Sequence, residues 1–411
     1  MKGRSDPLVL GSRTDSERDR FRFHTADGIT SADSFCPGEL LVLEHLWGTA
    51  LGRLRTVDAR YGVVGCVLAE RASSVELLAS DARAAALCER NIATNGVEAT
   101  VDIATGLASV DGDRSTRPTV EAAKAQSRGR TDGGTHTADR QHAPVDTAVF
   151  VPEAYDPLEL GIRRIESALE ALVPGGDCFV AAKPGTGLRR FESVLDDRTE
   201  SVSTVATRDD WALVHASAPV HVERASDPPF DWIRATVDGD SAGGAALSLV
   251  TAPGLFAPTG LDAGTRLLAE TAAIDDRDSV LDLCCGYGPL GAYAGTVADC
   301  EVWCSDADAL ATTCARRSLD ANGVSGRVVT ADALAGVSDQ TFDTVLCNPP
   351  THAGDGVLSD LFRGVDGVLA PGGRFWFVHH RSLDLTGHTA QFERVETVAT
   401  GEEHVVRLVE T

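Results

Sequence analysis

The stretch VLDLCCGYGPLG, Val280 to Gly291, decides the fold. An apolar run rich in β-branched residues breaks at G-Y-G and resumes as a helix-forming segment. Gly286 and Gly288 are expected to turn the chain tightly and to let its backbone approach a ligand. Gly291 is expected to seat the following helix close to the sheet. Such a strand-to-helix turn belongs to α/β domains with a mainly parallel sheet. Taken alone, G-x-G-x-x-G suits a dehydrogenase equally well, or a turn that binds nothing.

Reading outward, SVLDLCC, CEVWCSD, GRVVTAD, FDTVLCN, GRFWFVHH and HVVRLVE are expected strands. Ahead of them IRATVDG and AALSLVTAPG read as a β-hairpin closed by DGDSAGG. Asp306 ends the second strand, where a carboxylate accepts both ribose hydroxyls of an adenosine. Asp332 follows the third strand, placed to accept from an adenine amino group. Asn348-Pro349-Pro350 ends the fourth. Ligands of open α/β sheets bind outside these carboxyl ends, so four such features at successive strand ends point to one site. A lone Asp there would more often cap a helix.

The Asn-Pro-Pro motif has its own chemistry. An exocyclic amine is a poor nucleophile because its lone pair is delocalised into the ring. The Asn348 side-chain oxygen and the Pro349 carbonyl form an acceptor pair able to hold its two N–H groups and localise that lone pair. Pro349 and Pro350 fix the backbone, so the acceptors are preorganised, and alignment supplies much of the rate.

The C-terminal half is similar to class I S-adenosylmethionine-dependent methyltransferases. More narrowly, LFAPTGLDAGTRLLAE (Leu255 to Glu270), VLDLCCGYGPLG and CNPPTHAGDGVL (Cys347 to Leu358) resemble the family of ribosomal RNA small-subunit methyltransferase C and its archaeal relatives. The resemblance implies 2-methylguanosine formation in ribosomal RNA, with S-adenosyl-L-methionine as cofactor. It also implies an N-terminal copy that has lost activity. Asp282, Cys284, Gly286, Gly288, Asp306, Asp332 and Asn348 are then the cofactor-binding residues, and Asn348, Pro349 and Pro350 the catalytic ones. Where such enzymes carry a base-stacking aromatic residue, Thr351 stands here; His352 and Phe256 are the candidates to replace it. Asp262 has two readings, one in the segment closing over the cofactor's methionine end and one as cap of a helix from Ala263. His379 and His380 read as structural.

The chain also repeats itself. LLASDARAAALCERNIATNGVEATV from Leu77 matches VWCSDADALATTCARRSLDANGVSGRV from Val302, and VDTAVFVPEAYDPL from Val145 matches FDTVLCNPPTHAGD from Phe342. LEALVPGGDCFVAAK from Leu169 likewise matches VDGVLAPGGRFWFVHH from Val365. Asn95 and Asn322 are 227 residues apart, whereas Gly175 and Gly372 are 197 apart. The first copy therefore carries about 30 extra residues, a polar insert at 108–142 holding Arg114, Arg117, Lys124, Arg128, Arg130 and Arg140. The expectation is two tandem Rossmann-like class I methyltransferase domains with mainly parallel seven-stranded sheets. Residues 1–220 are the degenerate copy and 221–411 the catalytic one. In the first copy TVDARYGVVG lacks one glycine of the pair, with either Arg60 in place of the first or Val64 in place of the second. Val151-Pro152-Glu153 replaces Asn-Pro-Pro, and Asp81 is read as keeping the position of Asp306, as a relic or a helix cap. The Arg-bearing insert is a candidate phosphate contact or a solvated loop.

Composition bounds the rest. In 411 residues, 37 Lys+Arg face 61 Asp+Glu, a net charge of −24, and only Lys2, Lys124 and Lys183 are lysines. This acidity reads as adaptation to a salt-rich cytoplasm, where a Debye length of about 3 Å at 1 M screens the self-repulsion. No apolar run approaches the roughly 18 residues of a membrane span, and the N-terminal stretch is too polar for a signal-peptide core. A cytoplasmic protein is expected, and the duplication is consistent with a monomer. The 10 cysteines include no C-x-x-C; Cys300 and Cys304 are the nearest to a pair, and no metal is expected. The rival readings are an adenine-N6 or protein-glutamine methyltransferase, a nicotinamide-dependent oxidoreductase, and a non-catalytic RNA-binding or ribosome-assembly factor.

Overall fold

The computed structural model describes residues 6–12, 15–16, 18–105, 143–153, 156–218, 230–239 and 244–410. The insert expected at 108–142 lies outside the described residues, as does nearly all of the stretch between the two copies. The described residues up to 218 form one compact unit and those from 230 on another.

The N-terminal unit opens with an antiparallel pair, β1 (Leu8–Gly11) and β2 (Arg20–Phe23), followed by α1 (Pro37–Leu46). Then come β3 (Arg53–Val57), α2 (Val63–Leu68), β4 (Ser74–Ala79), α3 (Ala82–Asn95) and β5 (Thr100–Ile103). After them come β6 (Val145–Phe150), α4 (Leu158–Glu170), β7 (Leu172–Ala182), α5 (Leu188–Arg198), β8 (Ser201–Arg208) and β9 (Trp211–Ser217). One seven-stranded sheet runs in the order β5-β4-β3-β6-β7-β9-β8, with β9 antiparallel to both neighbours.

The C-terminal unit repeats the plan. The hairpin is β10 (Asp231–Val237) and β11 (Ala245–Thr251), and α6 (Ala263–Thr271) follows. The next elements are β12 (Ser279–Leu283), α7 (Pro289–Val297), β13 (Glu301–Asp306), α8 (Ala309–Ala321) and β14 (Gly326–Thr330). They are followed by β15 (Phe342–Cys347), α9 (Asp355–Val365), β16 (Leu369–His380), β17 (Glu396–Thr400) and β18 (His404–Glu410). The order β14-β13-β12-β15-β16-β18-β17 matches the first sheet strand for strand. Reversal at β12 puts the crevice for a ligand beside the carboxyl ends of β12 and β15. Phe342, Phe362, Phe375 and Phe377 are fully buried between that sheet and α9. β17 was not among the expected strands; its residues are mostly exposed or half-buried, so no apolar alternation marks it.

The shared N-G-V motif has a physical role in both units. Asn322 accepts from the Ser248 amide at 2.9 Å and donates to its carbonyl at 2.8 Å, clamping β11 to the end of α8. Asn95 grips Arg22 of β2 in the same two-bonded way. Gly96 then leaves α3 through the left-handed region, where no Cβ strain arises. Asn322→Ala removes both bonds to the hairpin and is expected to lower the C-terminal unit's stability by about 1–3 kcal/mol in denaturant unfolding. An unchanged midpoint would mean that apolar packing alone holds the hairpin.

Candidate active site

The chain leaves β12 through three alternate residues in the left-handed region: Cys284 at φ 59°, Gly286 at 53° and Gly288 at 79°. A Cβ on Gly288 would lie 3.0 Å from that of Ala315 in α8, so close packing excludes a side chain there. A Cβ on Gly286 would meet nothing within 4 Å; its backbone borders open space. Gly291 is tight against the sheet, its added Cβ 2.5 Å from the Cys304 sulfur. Asp306 pins the turn from the next strand, accepting the Gly286 amide at 2.8 Å and the Asp308 amide at 3.0 Å. Burial raises the Asp306 carboxyl, while the Asp308, Gly286 and Ala307 amides hold it down. Asp332 stands half-buried just beyond β14, and its carbonyl accepts the Ala335 amide. An open glycine backbone flanked by a carboxylate is a cradle that fits an adenosine-bearing cofactor.

One expected cofactor contact, Asp282, is placed differently. Asp282, 1% exposed, lies beneath the turn and accepts the Gly291 amide at 2.8 Å, so it shapes the turn from below and does not line the cleft. Among the described residues its other oxygen has no partner, and burial pushes the carboxyl up to about 8. The half-buried Cys284 thiol is held well above its usual value, first by its hydrogen bond with Cys347 and then by burial.

Asn348 follows β15. Its side-chain NH2 donates to Thr265 Oγ1 at 2.9 Å and to Asp262 Oδ2 at 3.2 Å. A carboxylate only accepts, so the amide's nitrogen end must face Asp262, and its carbonyl oxygen points the other way. Asp262 also caps α6, accepting the Thr265 amide at 2.9 Å, which is the second of its two readings. Pro349 was expected to offer a free carbonyl; in fact it already accepts the Thr351 amide at 2.8 Å, which leaves its second lone pair. Thr351 is half-buried, His352 exposed, and Phe256 59% exposed. The Tyr287 hydroxyl lies within 3.5 Å of the Ala257 carbonyl and 3.3 Å of the Gly260 carbonyl, fastening the segment that bears Phe256 to the glycine turn. His379 is buried, stacked at 22° on Phe377, and burial lowers its pKa. Thr265 and the orientation of the amide had no sequence signal beyond the L-D-A-G-T string.

The N-terminal unit keeps the turn and fills the crevice. Asp58 at φ 58°, Arg60 at 51° and Gly62 at 85° repeat the left-handed alternation, so Arg60 stands where Gly286 does. Its buried guanidinium donates to the Val151 and Pro152 carbonyls at 2.9 and 3.2 Å. It also pairs with Glu39 at 3.5 Å and Glu153 at 3.4 Å. Arg164 bridges Asp58 and Asp156, both at 2.8 Å. The polar cavity that remains, about 70 Å³, has room for a few waters. Strand register also corrects the reading of Asp81. Val57 pairs with Leu78 as Leu283 pairs with Ser305, so Ala79 occupies the place of Asp306. Asp81 caps α3 through the Ala84 amide, the helix cap that was its other reading, as Asp308 caps α8. Here the cradle does not fit the cofactor.

Among the described residues no cluster of three or more His, Cys, Asp or Glu could hold a metal, and no helix is long and apolar enough to cross a membrane.

The strand order and the glycine turn define a class I methyltransferase fold. A methyltransferase small domain model matches residues 20–116 and 246–407. Ribosomal RNA small subunit methyltransferase C of Escherichia coli is 30% identical over 261 residues, 60% of this chain and 71% of that protein, and the Shigella dysenteriae protein of that name matches equally. The chain belongs to the methyltransferase small domain family and, within it, to that of ribosomal RNA small subunit methyltransferase C. The same fold recurs in the 16S rRNA N2 G1207 methyltransferase of T. thermophilus, solved with AdoMet and guanosine (TM-score 0.71, 18% identity, 98% of each chain).

Asp282 yields a pH prediction. A carboxyl raised to about 8 in the folded state disfavours folding progressively as the unfolded chain ionises above pH 4, up to about pH 8. Asp282→Asn keeps an acceptor for Gly291 and carries no charge. Its unfolding midpoint is expected to gain on the unaltered chain between pH 5 and pH 8 and then to level off. A difference independent of pH would place the titration elsewhere.

Proposed function

We propose that the C-terminal unit methylates the exocyclic N2 amine of a guanine in ribosomal RNA, with the small subunit favoured, using S-adenosyl-L-methionine. The observation that carries this reading is the Asn348 amide, anchored by its nitrogen beside the glycine turn so that its oxygen is the end offered to an amine. Bound S-adenosylmethionine supplies an electrophilic methyl group on a sulfonium. Gly286 and Gly288 would give it backbone access, Asp306 and Asp332 would accept from its nucleoside, and Cys284 would border it; Asp282 would support it only through the turn. Asn348 Oδ1 and the remaining lone pair of the Pro349 carbonyl hold the two amine N–H groups, and Pro350 stiffens the backbone behind them. No strong general base is needed, because the nitrogen becomes acidic as it is methylated and its proton passes to water. Phe256, Thr351 and His352 surround the base, with exposed Phe256 as the stacking residue.

The N-terminal unit is assigned no catalysis. The reading is supported by the Escherichia coli and Shigella relatives, whose names state ribosomal RNA of the small subunit as the substrate. A ribosomal substrate, as free RNA or an assembling subunit, implies action in the cytoplasm. The net charge of −24 with three lysines suits a salt-rich one.

The test is incubation of the full chain, in high salt, with labelled S-adenosylmethionine and small subunits or RNA lacking the modification, followed by digestion to nucleosides. Label is expected in 2-methylguanosine and is lost, by at least about a hundredfold, on Asn348→Ala. Label in N6-methyladenosine would overturn the substrate. No label in RNA, with the cofactor still bound, would favour a protein substrate or an assembly role.

A further inference from the structure

We infer that Asp262 and Thr265 are positioning residues, which lock Asn348 so that the site presents acceptors only; the inference rests on the function proposed above. The hydrogen-bond directions follow from chemistry alone. Asp262 Oδ2 receives the Thr265 amide at 2.9 Å and the Thr265 hydroxyl at 3.3 Å. Having given its one proton to the carboxylate, that hydroxyl can only accept from Asn348, which donates to it at 2.9 Å. The Asn348 NH2 is thus engaged by two acceptors, and flipping the amide would set its oxygen against two others. The bond to a carboxylate also polarises the amide and strengthens its carbonyl oxygen as an acceptor.

The surroundings allow the carboxylate little freedom. A Cβ on Gly264 would sit 3.0 Å from Asp262 Oδ2 and 2.9 Å from the His404 ring, so the space between them is already taken. Burial first, and Asp262 second, push the Tyr287 phenol up to about 12, which places that ring near the carboxylate as well as on the 257–260 carbonyls.

The duplicated unit separates this role from helix capping. Cys36 precedes α1 as Asp262 precedes α6, each 24 residues ahead of the turn positions Arg60 and Gly286. Cys36 makes no side-chain cap bond, yet α1 runs 10 residues, so a capped start is not what the fold demands. Glu39 stands in place of Thr265 and faces Arg60, and Val151 stands in place of Asn348. Where the amide is absent, both of its anchors are absent too. With the NH2 engaged, a substrate group bringing two N–H donors is accepted, and a keto oxygen or bare ring nitrogen meets only lone pairs.

The experiment uses the full chain with labelled S-adenosylmethionine and unmodified small subunits. Thr265→Val keeps the branched volume and the Asp262 cap while removing the acceptor. It is expected to lower kcat at least about tenfold, leaving calorimetric cofactor Kd and the unfolding midpoint near those of the unaltered chain. Thr265→Ser is expected to restore kcat. Asp262→Ser keeps a good N-cap but falls short of Asn348, and should lower kcat in the same way. Unchanged kcat in Thr265→Val, failure of Thr265→Ser to restore it, or a parallel loss of cofactor affinity would overturn the inference while the function stands. Absence of transfer by the unaltered chain would overturn the function itself, and the inference with it.

Discussion

Both halves of this molecule depend on one backbone constraint: the chain leaves the first strand of each sheet through three alternate residues at positive φ. For L side chains that conformation is unfavourable by about 1 kcal/mol or more, and only glycine escapes it. The C-terminal unit places glycine at two of the three positions, and the third is Cys284. The reward is a run of backbone that reaches into the crevice with nothing projecting from Gly286. Asp306, Asn348 and the anchored 257–260 segment are then arranged around that bare stretch. In the N-terminal unit the same path survives with Asp58 and Arg60 in it, and the strain is offset by buried ion pairs.

Much of this was legible in the sequence because it is written in local chemistry. The duplication, the C-terminal hairpin, the glycine turn and the strand ends at Asp306 and Asn348 each follow from short strings with a period or a punctuating residue. What escaped had a different physical origin. Asp81 seemed to keep the place of Asp306 because S-D-A recurs, but strand register depends on pairing partners, and a two-residue difference before α3 moves the carboxylate from the strand end to the helix cap. β17 is an edge strand whose stability comes from its neighbour β18, not from its own pattern. Arg60 was one of two alignments until the φ angles singled it out. The orientation of the Asn348 amide is a tertiary fact, set by side chains 83 and 86 positions away.

The two units also show which features the architecture itself requires. Asn95 and Asn322 clamp the hairpins identically, although one unit has a bare cradle and the other a filled one. The Asp81 and Asp308 caps, the asparagine clamps and the strand order were kept in both, while the residues around the crevice diverged as a set.

That divergence has a direction. In the N-terminal unit Glu39 is buried, its pKa raised by desolvation and restrained by Arg60. Returning Arg60 to glycine would clear the backbone but strand that carboxylate inside, a loss of several kcal/mol that no gain in binding could follow until Glu39, Glu153 and Val151 had changed as well. The ion network is therefore a ratchet. With it in place, no single substitution reopens the cradle of that unit.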